Sequence, residues 1–422
     1  TSYGPGRYDR IYEEQGLDYP VAYVRWTENR NMEEYLKLVA ENKIKLRSMI
    51  SATYPINEAP MAYESLKKNS QKPLIVLLSY DLGEPPKSLH KVSNSLAQKP
   101  KLGKIRLAIV GAGGFAKGTH LPNIQKLSNY YAVQAIMSRS GHNAAAAARQ
   151  FGAAYSTTDY DQILKDSEID AVLIATRHHL HSKMAMQALY AGKHVLVEKP
   201  LAIHPEELKE IQSFFENDNA TRNNPLLMTG FNRRFSIYAK RIHEIVSPRK
   251  NPMIINYRMN AGYIPMNHWV HSEEGGGRNV GEACHIYDLF TYLTNSKVMK
   301  VDAHTIVPKG SYYGRKDNFV ATMTWEDGSV TTLTYTALGS PDYPKEQMEI
   351  YVEGKVVSLN NYQELMISGA KIRGIQGKTI DKGQKEELEM FAQAIKNGEQ
   401  WPIPLWQQIQ ATEISFEVEK FL

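Results

Sequence analysis

The chain has 422 residues, of which 42% are hydrophobic and 23% are charged, a composition typical of a globular protein with two or three domains. The 50 basic and 45 acidic residues give a net charge of +5. The basic residues form no dense stripe, which argues against a nucleic-acid or membrane partner. No apolar run approaches the roughly 20 residues of a membrane helix. The single cysteine, Cys284, excludes an intrachain disulfide and fits a reducing, cytoplasmic location. Because the chain begins with Thr-Ser-Tyr-Gly, we expect a fragment or a processed form.

The first region, residues 1–80, predicts two helices and one strand. Apolar positions recur at helical spacing over residues 31–42, and a shorter helix is expected over residues 59–68. The run PLIVLLSY at residues 73–80 is typical of a buried strand. Residues 81–103 are polar, contain Pro and Ser and show no periodicity, so we expect a linker there.

From residue 104 to residue 230, strands alternate with helices. The expected strands lie at residues 105–110, 132–137, 171–175, 194–197 and 226–229. The expected helices run from the first strand to about residue 128, over 143–151 and over 182–191. This alternation implies right-handed crossovers and a doubly wound parallel sheet, the Rossmann arrangement.

The pattern changes to long alternating strands over residues 231–422. The expected strands span residues 253–260, 319–325, 329–336 and 347–352. The expected helices span residues 281–293, 382–396 and 405–421. Together they predict an α+β domain with a large, mostly antiparallel sheet that helices cover on one face.

A glycine-rich turn directly follows the strand at residues 105–110. The run GAGGFA at residues 111–116 fits the pattern G-x-G-x-x-A. Gly111 suits the tight turn, Gly113 lets the backbone approach a pyrophosphate, and Ala116 allows close helix–strand packing. The following helix N-terminus offers free N–H groups to phosphate. The strand–turn–helix context therefore predicts a dinucleotide site that includes Gly114 and Phe115.

The end of the next strand bears on the choice of cofactor. An acidic residue there usually binds the ribose 2′-hydroxyl of NAD, but this chain reads Ser138-Arg139. Ser138 and Arg139 could instead hold a 2′-phosphate. We expect NADP or NAD, with NADP favoured; the alternative for Arg139 is a solvated loop residue.

The strand at residues 194–197 is closed by Glu198-Lys199-Pro200. Ligands of open α/β sheets lie outside the carboxyl ends of the strands. Pro200 biases Lys199 toward an extended conformation at this exit. Its ammonium group could stabilise a developing alkoxide or relay a proton; the alternative is a solvated lysine.

The segment GGGRNVGEACHIYDL at residues 275–289 predicts a partner for Lys199. On a helix that starts near Gly281, the residues Glu282, His285 and Asp288 share one face. A histidine suits removal of a hydroxyl proton while hydride leaves the carbon. Asp288 or Glu282 could orient its ring. The alternative is a core or capping histidine beside a solvated carboxylate.

These stretches resemble the Gfo/Idh/MocA family (glucose-fructose oxidoreductase, inositol dehydrogenase) from residue 105 to the C-terminus. The matching runs, in family order, are GAGGFAKGTHLPNI, IDAVLIATRHHLHSKMAMQAL, AGKHVLVEKPLA, GFNRRFS, MNAGYIP and GGGRNVGEACHIYDL. The resemblance implies a Rossmann domain and an α/β domain whose open sheet forms the contacts of a homodimer or homotetramer. It also implies hydride transfer at a secondary hydroxyl of a sugar, nucleotide sugar or cyclitol.

The resemblance also implies site residues. Lys199 matches the lysine of the family's EKP motif and His285 its catalytic histidine, whereas the aspartate that many members carry four residues earlier is Gly281 here. The implied cofactor contacts beyond the glycine turn are Thr176, His178, His181, Glu198, Lys199 and Pro200. The implied substrate contacts are Arg234, Asn260, Gly262 and His285. We expect no metal, because three histidines on one short loop rarely converge on one centre.

Residues 1–80 resemble another family, the C-terminal end of zinc-type medium-chain alcohol dehydrogenases, over NMEEYLKLVAENKIKLRSMISATYPINEAPMAYESL. Fusions of these two families resemble bi-domain oxidoreductases, and we expect this segment to be a docking or packing module. Two alternatives to an enzyme remain open: a non-catalytic, cofactor-binding sensor, and an assembly module that docks a partner. The presence of both Lys199 and His285 argues against the sensor.

Overall fold

A computed structural model describes residues 4–6, 8–67, 73–80, 90–95, 97, 103–216, 225–398 and 401–422. The chain divides into two units, residues 1–88 and 89–422. Within the described residues, no helix has both the length and the apolar character needed to cross a membrane. Most of the expected linker at residues 81–103 and the last residue of the helix expected at 59–68 lie outside the described residues.

The first unit contains a two-stranded parallel sheet and three short helices. Its strands are β1 (Ile50–Pro55) and β2 (Ile75–Ser79). Its helices are α1 (Arg10–Gln15), α2 (Glu28–Ala40) and α3 (Ala59–Ser65). The two helices and the strand predicted in this region are confirmed as α2, α3 and β2. The expectation that the strand is buried is wrong, because every residue of β2 is at least partly exposed. The sequence pattern does not predict α1, because its N-cap, Asp9, precedes only 6 helical residues.

The second unit begins with a seven-stranded sheet. Its strands are β3 (Lys91–Ser93), β4 (Ile105–Val110), β5 (Tyr131–Met137), β6 (Tyr155–Thr157), β7 (Ala171–Ile174), β8 (His194–Val197) and β9 (Leu227–Thr229). The strand order is β3-β6-β5-β4-β7-β8-β9. All neighbours are parallel except β3, which pairs antiparallel with β6. The predicted doubly wound sheet is confirmed, and three residues of the expected linker form its edge strand.

Helices connect the strands of this sheet. They are α4 (Leu121–Lys126), α5 (Gly141–Phe151), α6 (Tyr160–Lys165), α7 (His181–Tyr190) and α8 (Pro205–Glu216). A π-helical turn, Ala116–His120, precedes α4. The interior strand β7 is buried at every position, as expected where helices cover both faces of a parallel sheet. Because the strand order reverses between β4 and β7, a crevice opens at their carboxyl ends.

A second sheet of eight strands follows. Its strands are β10 (Ile254–Asn260), β11 (Val298–Thr305), β12 (Phe319–Trp325), β13 (Val330–Thr336), β14 (Glu346–Val352), β15 (Lys355–Asn360), β16 (Glu364–Ser368) and β17 (Ile375–Gln376). The order is β11-β12-β13-β10-β14-β15-β16-β17. Only the β10–β13 pair is parallel among the ladders of this sheet, which confirms the expected mostly antiparallel sheet.

Four helices accompany the second sheet in this part of the chain. They are α9 (Ile237–Val246), α10 (Cys284–Thr294), α11 (Gln384–Asn397) and α12 (Leu405–Glu419). Helix α12 contacts β11 of the second sheet and β9 of the first. At β9, Gln408 accepts a hydrogen bond from the backbone N–H of Thr229 and donates one to the carbonyl of Leu227. The same helix packs along α10. The start of α10 therefore lies near the carboxyl ends of the Rossmann strands.

Candidate active site

The glycine turn after β4 has the shape that a dinucleotide requires. Gly111 has φ of +101°, and a Cβ there would lie 2.4 Å from the carbonyl oxygen of Ala175, so only glycine fits this close approach. A Cβ at Gly113 or Gly114 would meet nothing within 4 Å. These two residues lie open where the next helix begins, and Ala116 is buried behind them. The turn therefore fits a pyrophosphate held by backbone N–H groups.

The remaining predicted nucleotide contacts flank this turn. The ring of Phe115 is half exposed and packs edge-on against His120, with ring centroids 5.0 Å apart. Met137 pairs with Val110 in the parallel ladder, so Ser138 and Arg139 leave the sheet beside the glycine turn. Arg139 is exposed. This is the side of the turn on which an adenosine ribose binds in Rossmann folds.

A cavity of about 320 Å³ lies at the carboxyl end of the sheet. It is lined by Phe115, Ala175, Thr176, His178, His181, Glu198, Lys199, Asn232, Arg233, Trp269, His285, Lys382 and Gln384. Lys199 enters it from the end of β8, and His285 enters it from the first turn of α10. The structure thus brings the two predicted catalytic side chains to one cavity.

The ammonium group of Lys199 is held by a backbone carbonyl. Its Nζ donates a hydrogen bond to the carbonyl oxygen of Gly281 at 2.8 Å. A Cβ at Gly281 would lie 2.8 Å from Cε1 of His178. The imidazole of His178 therefore fills the space that an aspartate side chain would need at this position.

The imidazole of His285 is only 6% exposed. Its Nδ1 has no hydrogen-bond partner in the part of the chain that the structure describes. Burial, followed by the positive charges of Arg233 and Lys199, lowers the pKa of His285 well below its usual 6.5. The ring is therefore neutral at pH 7 and able to accept a proton.

The loop after β7 presents two more neutral imidazoles. Nδ1 of His178 donates to the carbonyl of Gly275 at 2.8 Å, and burial, followed by the charge of Lys199, lowers the pKa of His178 to about 3. The ring of His181 lies between two carbonyl oxygens, 2.9 Å from that of Pro200 and 3.2 Å from that of Thr176. These rings fix the loop, and the described residues contain no cluster of ligands for a metal ion.

Glu198 is buried beside Lys199 and forms a pair with His120. The Nε2 of His120 lies 2.6 Å from Oε1 of Glu198. Burial alone would raise the pKa of the Glu198 carboxyl, but the hydrogen bond from His120 lowers it on balance. Glu198 is therefore ionised and lies where the cavity meets the π-helical turn Ala116–His120.

The two carboxylates expected to orient His285 have other partners. Asp288 accepts hydrogen bonds from Arg234, at 3.0 Å from Nε and 2.5 Å from Nη2. Glu282 accepts from Arg278 at 3.0 Å and from Lys345 at 2.7 Å. Among the described residues, neither carboxylate forms a hydrogen bond with His285. The expectation that Asp288 or Glu282 orients His285 is therefore wrong, because both carboxylates are hydrogen-bonded to buried guanidinium groups.

The expected substrate contacts other than His285 lie away from this cavity. Arg234 is 3% exposed and buried against Asp288 and Gln407. Asn260 and Gly262 line a different cavity, of about 460 Å³. The side-chain amide of Asn260 donates to the carbonyl of Ser340 at 2.7 Å. The 3₁₀ turn Asn232–Phe235 turns Arg233 toward the active-site cavity and Arg234 away from it.

Six residues that line the active-site cavity are not predicted from the sequence. They are Ala175, Asn232, Arg233, Trp269, Lys382 and Gln384. Arg233 adjoins the predicted Arg234, but no local pattern distinguishes the two arginines. Lys382 and Gln384 precede or begin α11, and no motif marks them. Trp269 packs against His178, with ring centroids 4.9 Å apart, and beneath the guanidinium of Arg177 at 4.0 Å.

Comparisons with known proteins agree with this geometry. Residues 105–222 match an oxidoreductase family with an NAD-binding Rossmann fold, and residues 252–357 match the GFO/IDH/MocA C-terminal domain. The two matches together span just over half of the chain. The chain belongs to the Gfo/Idh/MocA family. It is therefore an NAD-binding oxidoreductase of that family.

Individual relatives support the assignment. The chain is 24% identical over 332 residues to the uncharacterized oxidoreductase YrbE of Bacillus subtilis, covering 76% of this chain and 94% of that protein. It is 26% identical over 285 residues to scyllo-inositol 2-dehydrogenase (NAD(+)) of the same organism, covering 64% and 79%. A solved structure of levoglucosan dehydrogenase, complexed with NADH and levoglucosan, shares the fold. Its TM-score is 0.64 at 22% identity, over 75% of this chain and 97% of that one.

Proposed function

We propose that this Gfo/Idh/MocA protein transfers hydride between the nicotinamide of NAD(P) and a secondary hydroxyl or keto carbon. The proposed substrate is a sugar, nucleotide sugar or cyclitol. Lys199 and His285 form the acid–base pair. The observation that carries the proposal is that these two side chains, one after strand β8 and the other on helix α10, line one cavity beside the glycine turn. The names of the scyllo-inositol and levoglucosan dehydrogenases support a polyol substrate.

Different residues of this chain bind the cofactor, stabilise charge and transfer the proton. Gly111, Gly113 and Gly114 would hold the cofactor pyrophosphate, and the bound nicotinamide would supply the hydride acceptor or donor. Lys199 donates one hydrogen bond to the carbonyl of Gly281. Its remaining N–H groups can stabilise negative charge on the substrate oxygen. The neutral His285 can take the hydroxyl proton during oxidation and return it during reduction.

The test uses Lys199→Met and His285→Ala with scyllo-inositol, levoglucosan and nucleotide sugars as probes. We expect each variant to lower turnover by about 10²-fold or more, the scale of general acid–base catalysis, while NADH affinity changes little. Lys183→Met, which removes an exposed lysine of α7, is the control. Near-normal turnover in Lys199→Met would refute its role. Failure of every polyol to react with the unmodified protein would favour the sensor.

We also propose a preference for NADP over NAD. Ser138 and Arg139 leave β5 beside the glycine turn, and no carboxylate occupies the end of that strand. Arg139 would pair with the 2′-phosphate. We expect Arg139→Ala to weaken NADPH binding by about tenfold and NADH binding little, with Arg149→Ala on α5 as the exposed control. Equal loss for both cofactors, or no loss, would show that Arg139 does not select NADP.

Two further proposals concern assembly. We infer that the free face of the second sheet, where Thr332, Thr334 and Gln347 are half buried, joins copies of the chain into a dimer or tetramer. Light scattering of Thr332→Arg should then show a smaller species.

We also propose that residues 1–80, as a remnant similar to medium-chain alcohol dehydrogenases, serve docking or packing. Size-exclusion chromatography and turnover measurements on the chain with and without residues 1–80 separate a docking role from a packing role.

A further inference from the structure

The active-site cavity is lined by more cations than carboxylates. Its cationic side chains are Lys199, Arg233 and Lys382, and its one carboxylate among the described lining residues is Glu198. Among the described residues, Glu198 forms a hydrogen bond with His120 and with none of the three cations, although the charge of the neighbouring Lys199 helps to lower its pKa. The three imidazoles of the lining are neutral, because burial lowers the pKa of each. These neutral imidazoles neither add to the positive charge of the three cations nor compensate it.

One carboxylate behind the cavity wall, that of Glu346, forms ion pairs with two of these cations. The side chain of Glu346 on β14 is fully buried. It accepts hydrogen bonds from Arg233 at 2.7 and 3.0 Å and from Lys382 at 2.5 Å. The hydroxyl of Tyr257 also donates to it, at 2.5 Å. Because both oxygens of Glu346 are used and only one negative charge is present, Arg233 and Lys382 together keep a surplus positive charge.

Lys382 is the member of this pair that remains open to the cavity. Its side chain is 20% exposed, against 6% for Arg233. In the described part of the chain, its Nζ makes a side-chain hydrogen bond to Glu346 alone, so two of the three ammonium donors point elsewhere. Because these donors face the cavity, an anionic group of a bound substrate can accept a charge-assisted hydrogen bond from them. Gln384, two residues further on, adds a polar side chain to the same wall.

We infer that Lys382 binds a carboxylate carried by the substrate, so that the preferred sugar is a uronic acid or its nucleotide ester. This inference rests on the proposed function and specifies its substrate class. Lys382 lines the same cavity as Lys199 and His285, and its positive charge acts on the imidazole of His285. An anion that binds Lys382 is therefore carried by the sugar ring that reacts at these two residues. Lys382 is a specificity-determining residue, and it takes no part in the proton transfer.

The test compares matched neutral and acidic sugars. The probe pairs are D-glucose with D-glucuronate, UDP-glucose with UDP-glucuronate, and UDP-N-acetylglucosamine with its uronate. In the unmodified protein we expect kcat/KM for at least one uronate to exceed that for its neutral partner by about tenfold or more, the scale of one charge-assisted hydrogen bond. Lys382→Met should remove this ratio mainly through KM, and Lys382→Arg should retain most of it. Lys385→Met, which removes an exposed lysine of α11, should behave as the unmodified protein does.

A second measurement separates this inference from the proposed function. Calorimetry with the NADH-loaded protein compares binding of each uronate and its neutral partner without any turnover. Uronate binding that depends on Lys382, with no reaction of any polyol, would support the carboxylate site and reject the dehydrogenase. Reaction of neutral sugars at an equal or higher kcat/KM would reject the carboxylate site alone. A preference for glucose 6-phosphate over glucuronate would also overturn it.

Discussion

The imidazole of His178 packs against the backbone of Gly281 and fills the space that a side chain at position 281 would need. A Cβ on residue 281 would approach Cε1 of His178 to 2.8 Å and its Nδ1 to 3.1 Å. The carbonyl of the same glycine accepts the hydrogen bond from Lys199. The loop after β7 thus shapes the backbone that holds the lysine.

This contact predicts a coupled effect of two substitutions. Gly281→Ala should displace the ring of His178 or the carbonyl that holds Lys199, and we expect turnover to fall by about 10- to 100-fold. His178→Ala in the same chain should restore part of that loss, because the clash is gone. A double-mutant cycle on kcat and on the free energy of unfolding should give a coupling of about 1 kcal/mol or more. Strictly additive effects would show that the two positions act independently.

The parts of the site that could be predicted are those that depend on neighbours in sequence. The glycine turn and Lys199 each sit at the end of an apolar strand, so the local pattern places them at the carboxyl edge of a parallel sheet. The pairing of Arg234 with Asp288 depends instead on how the Asn232–Phe235 turn packs against α10, which no local pattern encodes. Lys382 joins the cavity for the same reason: its partner, Glu346, lies on a strand of the second sheet. Short elements such as β3, with 3 residues, carry too little periodicity to be recognised.

The Arg234–Asp288 pair predicts a structural and not a catalytic phenotype. Asp288→Asn should leave the buried guanidinium without its counter-ion and lower the free energy of unfolding by roughly 3–5 kcal/mol. Urea denaturation of the purified variant measures this loss. Arg234→Met combined with Asp288→Asn should recover much of it, because both charges are then removed. A stable Asp288→Asn protein with a displaced pH–rate profile would instead restore Asp288 to the role of orienting His285.

Glu346 predicts how stability depends on pH. Burial alone would raise the pKa of its carboxyl, but the charge and hydrogen bonds of Arg233, followed by those of Lys382, lower it to about 2. The folded pKa is below the ordinary 4.5, so Glu346 stabilises the fold above pH 4.5 and loses that effect as pH falls toward 2. We expect Glu346→Gln to be less stable at pH 7 and to lose less further stability between pH 4.5 and 2. Parallel loss in both proteins, in thermal unfolding from pH 7 to 2, would exclude Glu346 as a source of acid sensitivity.

The pH dependence of polyol oxidation should report the buried imidazole of His285. Oxidation needs the neutral ring, and burial together with Arg233 and Lys199 lowers the pKa of His285 well below 6.5. The rate constant kcat/KM should therefore stay level as pH falls from 7 past 6.5 and should decline only at more acidic pH. Lys345 also lowers this pKa through its charge, so Lys345→Met should move the decline toward higher pH. Lys300→Met, at an exposed position of β11, should leave it in place. A decline centred at or above pH 6.5 in the unmodified protein, or one that persists in His285→Asn, would assign the proton transfer to another group.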